Sequence, residues 1–179
     1  MDPERYANMA TERLLLRPPY EADPDDLVAR LNDWAVTRWL SRVPFPYTRA
    51  DAVEMQVQLR AEFQPSWSIF DERGLVGGIG LVGHLGFWIA QDAWGQGYAT
   101  EAARAVLNAH FNDLDAGAVS ASYFVGNAVS ARVLDKLGFL KVGTCRLMSL
   151  SRGCEVDAVG MLLTRSDWHI SPASAGLEP

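Results

Sequence analysis

The chain has 179 residues, 49% hydrophobic and 21% charged, with a formal net charge of −6. That length suits one domain burying about 70% of its unfolded surface, and the acidic balance argues against a general nucleic-acid binder while accommodating a cationic partner such as an amine. No apolar run approaches the ~20 residues that span a bilayer, and the charged start Met1-Asp2-Pro3-Glu4-Arg5 lacks the apolar stretch of a secretion signal, so a cytoplasmic protein without membrane contact is expected.

In chain order, residues 1–10 are expected to be loose. Thr11 to Arg17 reads as a first strand, stopped by Pro18-Pro19. Asp23-Pro24-Asp25-Asp26 has the acidic cap and first-turn proline of a helix start, with Leu27, Val28 and Leu31 at helical spacing. A short helical piece follows from Asp33 to Leu40, broken by Pro44-Phe45-Pro46-Tyr47. Thr48 with Asp51 forms a capping box for the next helix, whose apolar side is read as Val53, Val57 and Leu59. Ser66 to Asp71, Leu75 to Val82 and Leu85 to Ala90 read as an antiparallel meander, turning at Glu72-Arg73-Gly74 and Gly83-His84.

The pattern then changes. Tyr98 to Phe111 carries Ala99, Ala102, Ala103, Val106, Leu107, His110 and Phe111 on a helical stripe, and Ala118 to Val125 alternates like a strand. Asn127 to Leu137 is helical, with Val129, Val133, Leu134 and Leu137 on one side and Gly138 as the residue that ends it. Strands over Leu140 to Leu150 and Glu155 to Leu163 meet at Ser151-Arg152-Gly153, and Ser171 to Pro179 is a polar tail expected to fray. The class is α/β (α+β): one domain over residues 11–170 with a mixed, mostly antiparallel sheet flanked by helices.

Cys145 and Cys154 have neither C-x-x-C spacing nor a neighbouring histidine. They are read as core or strand residues, with no disulfide framework, zinc site or other metal centre expected.

The informative unit is a strand, Leu85 to Ala90, running into Trp94-Gly95-Gln96-Gly97-Tyr98-Ala99 and out into a helix. Glycines allow unusual dihedrals and close approach of a ligand. The free N–H groups of a first helical turn, reinforced by the helix dipole, can hold an anion. Taken alone, a Gly-x-Gly is as readily a tight turn. No Gly-Lys-Ser/Thr follows it, and no third glycine stands at dinucleotide-fold spacing, so neither common nucleotide signature applies.

Trp94-Gly95-Gln96-Gly97-Tyr98-Ala99-Thr100-Glu101-Ala102 resembles the acetyl-CoA loop of the GNAT superfamily, in the branch of ribosomal-protein-alanine N-acetyltransferases. Asn127 to Phe139 is similar to the same branch's Asn-x-x-Ser-x-Arg-Val-Leu-x-Lys-Leu-Gly-Phe segment, and Thr11 to Pro18 and Asp157 to Trp168 also match. The resemblance spans about Thr11 to Trp168. It implies acetyl-CoA as cofactor and an amine-bearing acceptor: a protein N-terminal α-amino group, or alternatively a small amine such as a polyamine, amino acid or antibiotic. A non-catalytic CoA-binding module is the reading from another class. A homodimer is an assembly open to such a chain.

The resemblance further implies that the pyrophosphate sits on main-chain N–H groups of Gly95, Gln96, Gly97, Tyr98, Ala99 and Thr100, beside Trp94. The sheet would splay at the site, with the pantetheine arm adding to the strand at Ile89 and Ala90 and a strand N–H stabilising the developing oxyanion. Asn127 reads both as a helix N-cap and as a partner of that arm. Ser130 would sit by the cofactor sulfur. Arg132 is open between solvent and the phosphates, and Lys136 reads as solvated. Asp92, where the wider superfamily often has Gln or Arg, would serve turn geometry. Glu101 reads as a first-turn acid that complements the helix dipole.

Many superfamily members protonate the leaving thiolate with a tyrosine four residues after this serine; here Leu134 stands there, and Ser130 is the nearest substitute. No glutamate occupies Leu85 to Ala90. The general base is therefore open between His84, which could titrate near neutrality or simply be an exposed turn residue, and a water relay to a carboxylate such as Glu72 or Asp157. Trp34, Trp39, Phe45 and Tyr47 lie where the family lines its acceptor side, although core packing also explains Trp39.

Overall fold

The computed structural model describes residues 8–62 and 64–170. Eight strands form one sheet in the order β1-β2-β3-β4-β5-β6-β8-β7. They are β1 (Met9–Ala10), β2 (Leu15–Arg17), β3 (Ser66–Asp71), β4 (Gly74–Leu81), β5 (His84–Ile89), β6 (Val119–Phe124), β7 (Leu140–Ser149) and β8 (Cys154–Leu163). Every neighbouring pair is antiparallel except β5 and β6, which run parallel. The helices are α1 (Pro24–Leu31), α2 (Trp34–Thr37), α3 (Arg49–Ala61), α4 (Tyr98–Phe111), α5 (Ala128–Lys136) and α6 (Arg165–Ile170).

Local chemistry accounts for the helix starts. Asp23 caps α1 by accepting from the Asp25 N–H, and Asp33 does the same for α2 at Ala35. Thr48 and Asp51 form the expected capping box at α3. The buried side of α3 differs from the expected stripe. Ala52 is buried and Met55 packs on the core, whereas Val53 and Val57 are exposed. Val129 of α5 is likewise exposed. In each case neighbouring apolar residues offered two helical faces, and the shape of the sheet selected one.

Two further boundaries move. Residues 11–14 form a turn rather than the start of a strand, because the Thr11 hydroxyl accepts from the Leu14 N–H. Met9 and Ala10 pair with Leu16 and Leu15, so they belong to the domain rather than to a loose terminus. The remaining residues expected to be loose, 1–7 and 171–179, lie outside the described ones.

The main core lies between the sheet and α4–α5: Leu85, Val106, Leu107, Val119, Ala121, Leu134 and Met161 meet there. A second cluster, with Leu27, Leu31, Tyr47, Ala52 and Leu75, packs Trp88 and Phe70 under α1 and α3 on the opposite face. Trp88 lies flat on β4 because Gly78 has no side chain; a Cβ there would come within 2.5 Å of Trp88 Nε1. Among the described residues no helix is long and apolar enough to cross a membrane. Cys145 and Cys154 are exposed strand residues on β7 and β8, outside the core.

Candidate active site

The site is built on the one parallel junction. β5 and β6 pair only at His84–Ser120 and Leu85–Ala121, and beyond Leu85 no register joins them. The two strands therefore splay toward the loop. In an antiparallel ladder alternate residues point their N–H and C=O groups to opposite sides. Ala90 donates to Val76 O at 2.9 Å, on the β4 side, so the expected use of the Ala90 amide is corrected: it is already satisfied within the sheet. Phe87 and Ile89 alternate with it and turn their backbone groups into the split, and Phe87 was not among the residues read from the sequence. Strand periodicity alone cannot say which parity faces a partner; the Val76 bond decides it.

At the mouth of the split the chain makes a 3₁₀ turn, Gln91–Ala93, then passes Trp94 and enters α4. Gly95 and Gly97 have φ of 78° and 81°, in the left-handed region that favours glycine. Gly97 is the N-cap of α4 and supplies no side-chain cap. The first-turn N–H groups of Tyr98, Ala99 and Thr100 thus have no capping side chain, an arrangement in which a helix start can hold an anion. Gln96 is exposed beside it. The Trp94 indole N–H donates to Ile89 O at 2.7 Å, pinning the loop to the end of β5. Asp92 contacts Arg30 of α1 at 2.6 Å, consistent with a role in holding the turn.

Glu101 does more than complement the helix dipole. Its carboxylate accepts from the Thr11 hydroxyl (2.6 Å), the Arg13 N–H (3.0 Å) and the Arg13 guanidinium (2.8 and 2.6 Å). Burial pushes this carboxyl up, but those donors together hold it below the usual glutamate value. Arg13 also covers the Tyr98 ring at 5.0 Å, and the Tyr98 hydroxyl donates to Asp71, which pairs with Arg73. The N-terminal turn, the loop and the β3–β4 turn are thereby tied together. Sequence reasoning missed this because the partners are far apart in the chain.

Across the split, Asn127 caps α5, its Oδ1 accepting from the Ser130 N–H at 3.1 Å, which leaves its amide nitrogen available as a donor. Ser130 is half-buried in the first turn of α5, Arg132 and Lys136 are exposed, and Leu134 is buried in the main core at 1% exposure. No proton donor stands at that tyrosine position.

On the face opposite α4, His84 begins β5 at the closed end of the split. Its Nδ1 lies 3.1 Å from Ser120 Oγ and its Nε2 3.2 Å from Ser122 Oγ. The Ser120 hydroxyl donates to Gly83 O at 2.9 Å, so it can only accept from the ring. Nδ1 therefore carries the proton, and Nε2 offers its lone pair to the Ser122 hydroxyl. Partial burial of the ring, then the nearby Arg42 charge, lower the His84 pKa from its usual 6.5. The alternative carboxylates are not placed for this work. Glu72 is in the β3–β4 turn beside Arg13 and Arg73, with β4 and β5 between it and the split. Asp157 faces Arg146 at 3.7 Å, at a register position opposite in parity to Ser122 and Gly160.

Of the expected acceptor-side aromatics, Trp34 and Phe45 are exposed and meet edge to face at 5.2 Å. Tyr47 is 4% exposed within the second core, where burial raises its pKa to about 12, and it does not line an open surface. Trp39 is half-buried with the Arg38 and Arg152 guanidiniums over its ring.

Comparison with known proteins agrees with this geometry. The "Acetyltransferase (GNAT) domain" family matches residues 13–140. A curated relative, "Uncharacterized N-acetyltransferase p20" of Bacillus licheniformis, is 26% identical over 171 residues, covering 88% of this chain and 96% of that protein. The fold matches the ribosomal-protein-S5-alanine acetyltransferase of Vibrio fischeri with a TM-score of 0.70 at 18% identity, over 90% of this chain and 98% of that one. It also matches the spermidine N-acetyltransferase of Vibrio cholerae, solved in complex with CoA and spermine, with a TM-score of 0.74 at 17% identity, over 89% and 99% of the two chains. With a family match over most of its length and a split sheet opening onto an uncapped, glycine-started helix, this chain belongs to the GNAT acetyltransferase family and is an enzyme.

Proposed function

We propose that the protein transfers the acetyl group of acetyl-CoA directly to a primary amine, and that this amine is the N-terminal α-amino group of a peptide or protein. The observation that carries the cofactor assignment is the junction of the splayed β5–β6 pair with the uncapped N-terminus of α4. The residues fit the group. The N–H groups from Gly97 to Thr100 would take the pyrophosphate, the backbone of Phe87 and the Ile89 N–H the pantetheine amides, and the Asn127 amide nitrogen that arm from the other side. Arg132 would approach the phosphates from α5. The cofactor supplies an acetyl thioester, whose carbon–sulfur bond is exchanged for a carbon–nitrogen bond.

The chain's own groups handle the protons. Ser122 Oγ takes the proton of the attacking amine as its own proton passes to His84 Nε2, which lies within hydrogen-bond reach. The Phe87 N–H is the donor for the acetyl oxygen. Ser130 is the hydroxyl assigned to the departing sulfur, since Leu134 has no proton to give; a thiol of pKa ~8.5 needs only modest help to leave. A peptide acceptor suits a surface on which Trp34 and Phe45 are 42% and 41% exposed.

Steady-state release of free CoA with short peptides, polyamines and amino acids tests the reading. Peptide-dependent release with acetylation at the α-amino group is expected. Acetyl-CoA binding without transfer to any amine would overturn catalysis in favour of a CoA-binding module, and faster transfer to a polyamine would overturn the acceptor.

A further inference from the structure

The acceptor surface is unusual in its charge. Two segments converge there, the stretch from Thr37 to Arg42 and the β7–β8 turn. Leu150 N–H donates to Ser41 O at 3.0 Å, the Ser151 hydroxyl to Thr37 O at 3.1 Å, and the Arg152 Nε–H to Arg38 O at 3.0 Å. Trp39 sits between them, 4.7 Å from the Arg38 guanidinium and 5.4 Å from that of Arg152, and its ring edge would be 3.8 Å from a Cβ on Gly126, at the far end of β6. Arg152 also lies over the Phe124 ring at 5.5 Å. Phe124 is two residues from Ser122 and on the same sheet face, about 7 Å along the strand. At the other end of this line, Arg42 is close enough for its charge to act on His84.

Arg38 and Arg152 thus stand together at the Phe124 end of the strand that carries Ser122, and Arg42 follows in the same segment as Arg38. None of Arg38, Arg42 and Arg152 has an ion-pair partner among the described residues. The neighbouring acids are otherwise engaged: Asp33 caps α2, and Glu155 and Asp157 face Arg146. A polyamine would bring positive charge against three cations without an ion-pair partner, which costs binding energy. A carboxylate would meet forked donors that bind it through two parallel hydrogen bonds.

We infer that Arg38, Arg42 and Arg152 form an anion-recognition subsite, and that the acceptor is a peptide with acidic side chains in the few residues after its acetylated N-terminus. The inference rests on the peptide reading above and narrows it.

The test compares peptides Ala-Glu-Glu-, Ala-Gln-Gln- and Ala-Lys-Lys- on a common neutral tail, with kcat/KM at low and high salt and calorimetric binding to the CoA-saturated enzyme. The acidic peptide should exceed the basic one at least tenfold in both measurements, with the margin shrinking as salt rises. The double substitution Arg42→Gln/Arg152→Gln should bring the ratio close to one. Arg146→Gln, on the opposite side of β7, should keep it. Equal or better binding of the basic peptide overturns the subsite while leaving N-terminal acetylation standing. A double variant that loses affinity for acetyl-CoA but keeps the peptide ratio overturns it too, assigning the arginines to the cofactor's phosphates. Because binding is read independently of turnover, failure of catalysis alone is distinguishable from failure of the subsite.

Discussion

Glu101, in the first turn of α4, and Arg13, in the turn before β2, are joined by three hydrogen bonds although 88 positions separate them in the chain. Arg13 Nη2 also reaches within 3.7 Å of where a Cβ on Gly97 would stand. A carboxylate in the first turn of α4 would repel an anion there; here its charge is matched by a guanidinium, and the pair ties the helix start to the turn before β2.

Replacing Glu101 with Gln should therefore destabilise the fold by about 1–2 kcal/mol, between the value of a charged hydrogen-bond cluster and that of an exposed ion pair. The Glu101 pKa is lower in the folded state than its usual 4.5. Its contribution is then present above pH 4.5 and is lost as pH falls through the folded value. Chemical denaturation from pH 7 to pH 3 should show a shallower acid loss in the Gln variant; an identical pH profile would remove Glu101 from the account.

Gly97→Val should weaken acetyl-CoA binding at least tenfold, equivalent to about 1.4 kcal/mol. A β-branched residue at φ 81° is strained, and its side chain narrows the approach to the first-turn N–H groups. Calorimetry on a variant with native circular dichroism is the check, and unchanged affinity would take the loop out of the site.

Gly77→Ala probes the split from the other side of the strand. A Cβ at Gly77 would come within 2.4 Å of Trp88 O, a backbone atom, so β5 must shift to admit it. We expect a loss of about 1–3 kcal/mol together with weaker cofactor binding, because the displaced strand carries Phe87 and Ile89. Loss of stability with full retention of acetyl-CoA affinity would show that β5 does not position the arm.

The relay predicts a pH signature. If His84 Nε2 accepts the proton, kcat/KM falls on the acid side of pH 6.5, because burial and Arg42 lower the pKa. His84→Gln should abolish that limb and reduce kcat about 100-fold, within reach of general-base contributions. Arg42→Gln should move the limb toward higher pH. A limb unaffected by either substitution would transfer the role to another group.

Ser130→Ala separates binding from leaving-group assistance. Turnover should fall several-fold with little change in the KM for acetyl-CoA, since the Ser130 N–H capped by Asn127 is retained. Equal turnover would leave the serine as a helix residue only.

Much of this protein was legible without coordinates, for a physical reason: helix caps, turn glycines and strand alternation are local. Asp23, Thr48–Asp51, Asn127 and the limits of β3 and α4 follow from neighbouring residues alone, as does the glycine-bearing loop whose resemblance points to acetyl-CoA. What required the tertiary structure was whatever depends on which surfaces meet. The parity of β5, and hence which of its backbone groups turn into the split, is set by the β4 ladder. The outward turn of Val53, Val57 and Val129 is set by where the sheet lies. The Glu101–Arg13 lock, the Ser122–His84 pair and the convergence of Arg38, Arg42 and Arg152 join residues from separate parts of the chain. No local pattern encodes them, because hydrogen bonds and charges act through space and only the packed sheet brings those groups within range.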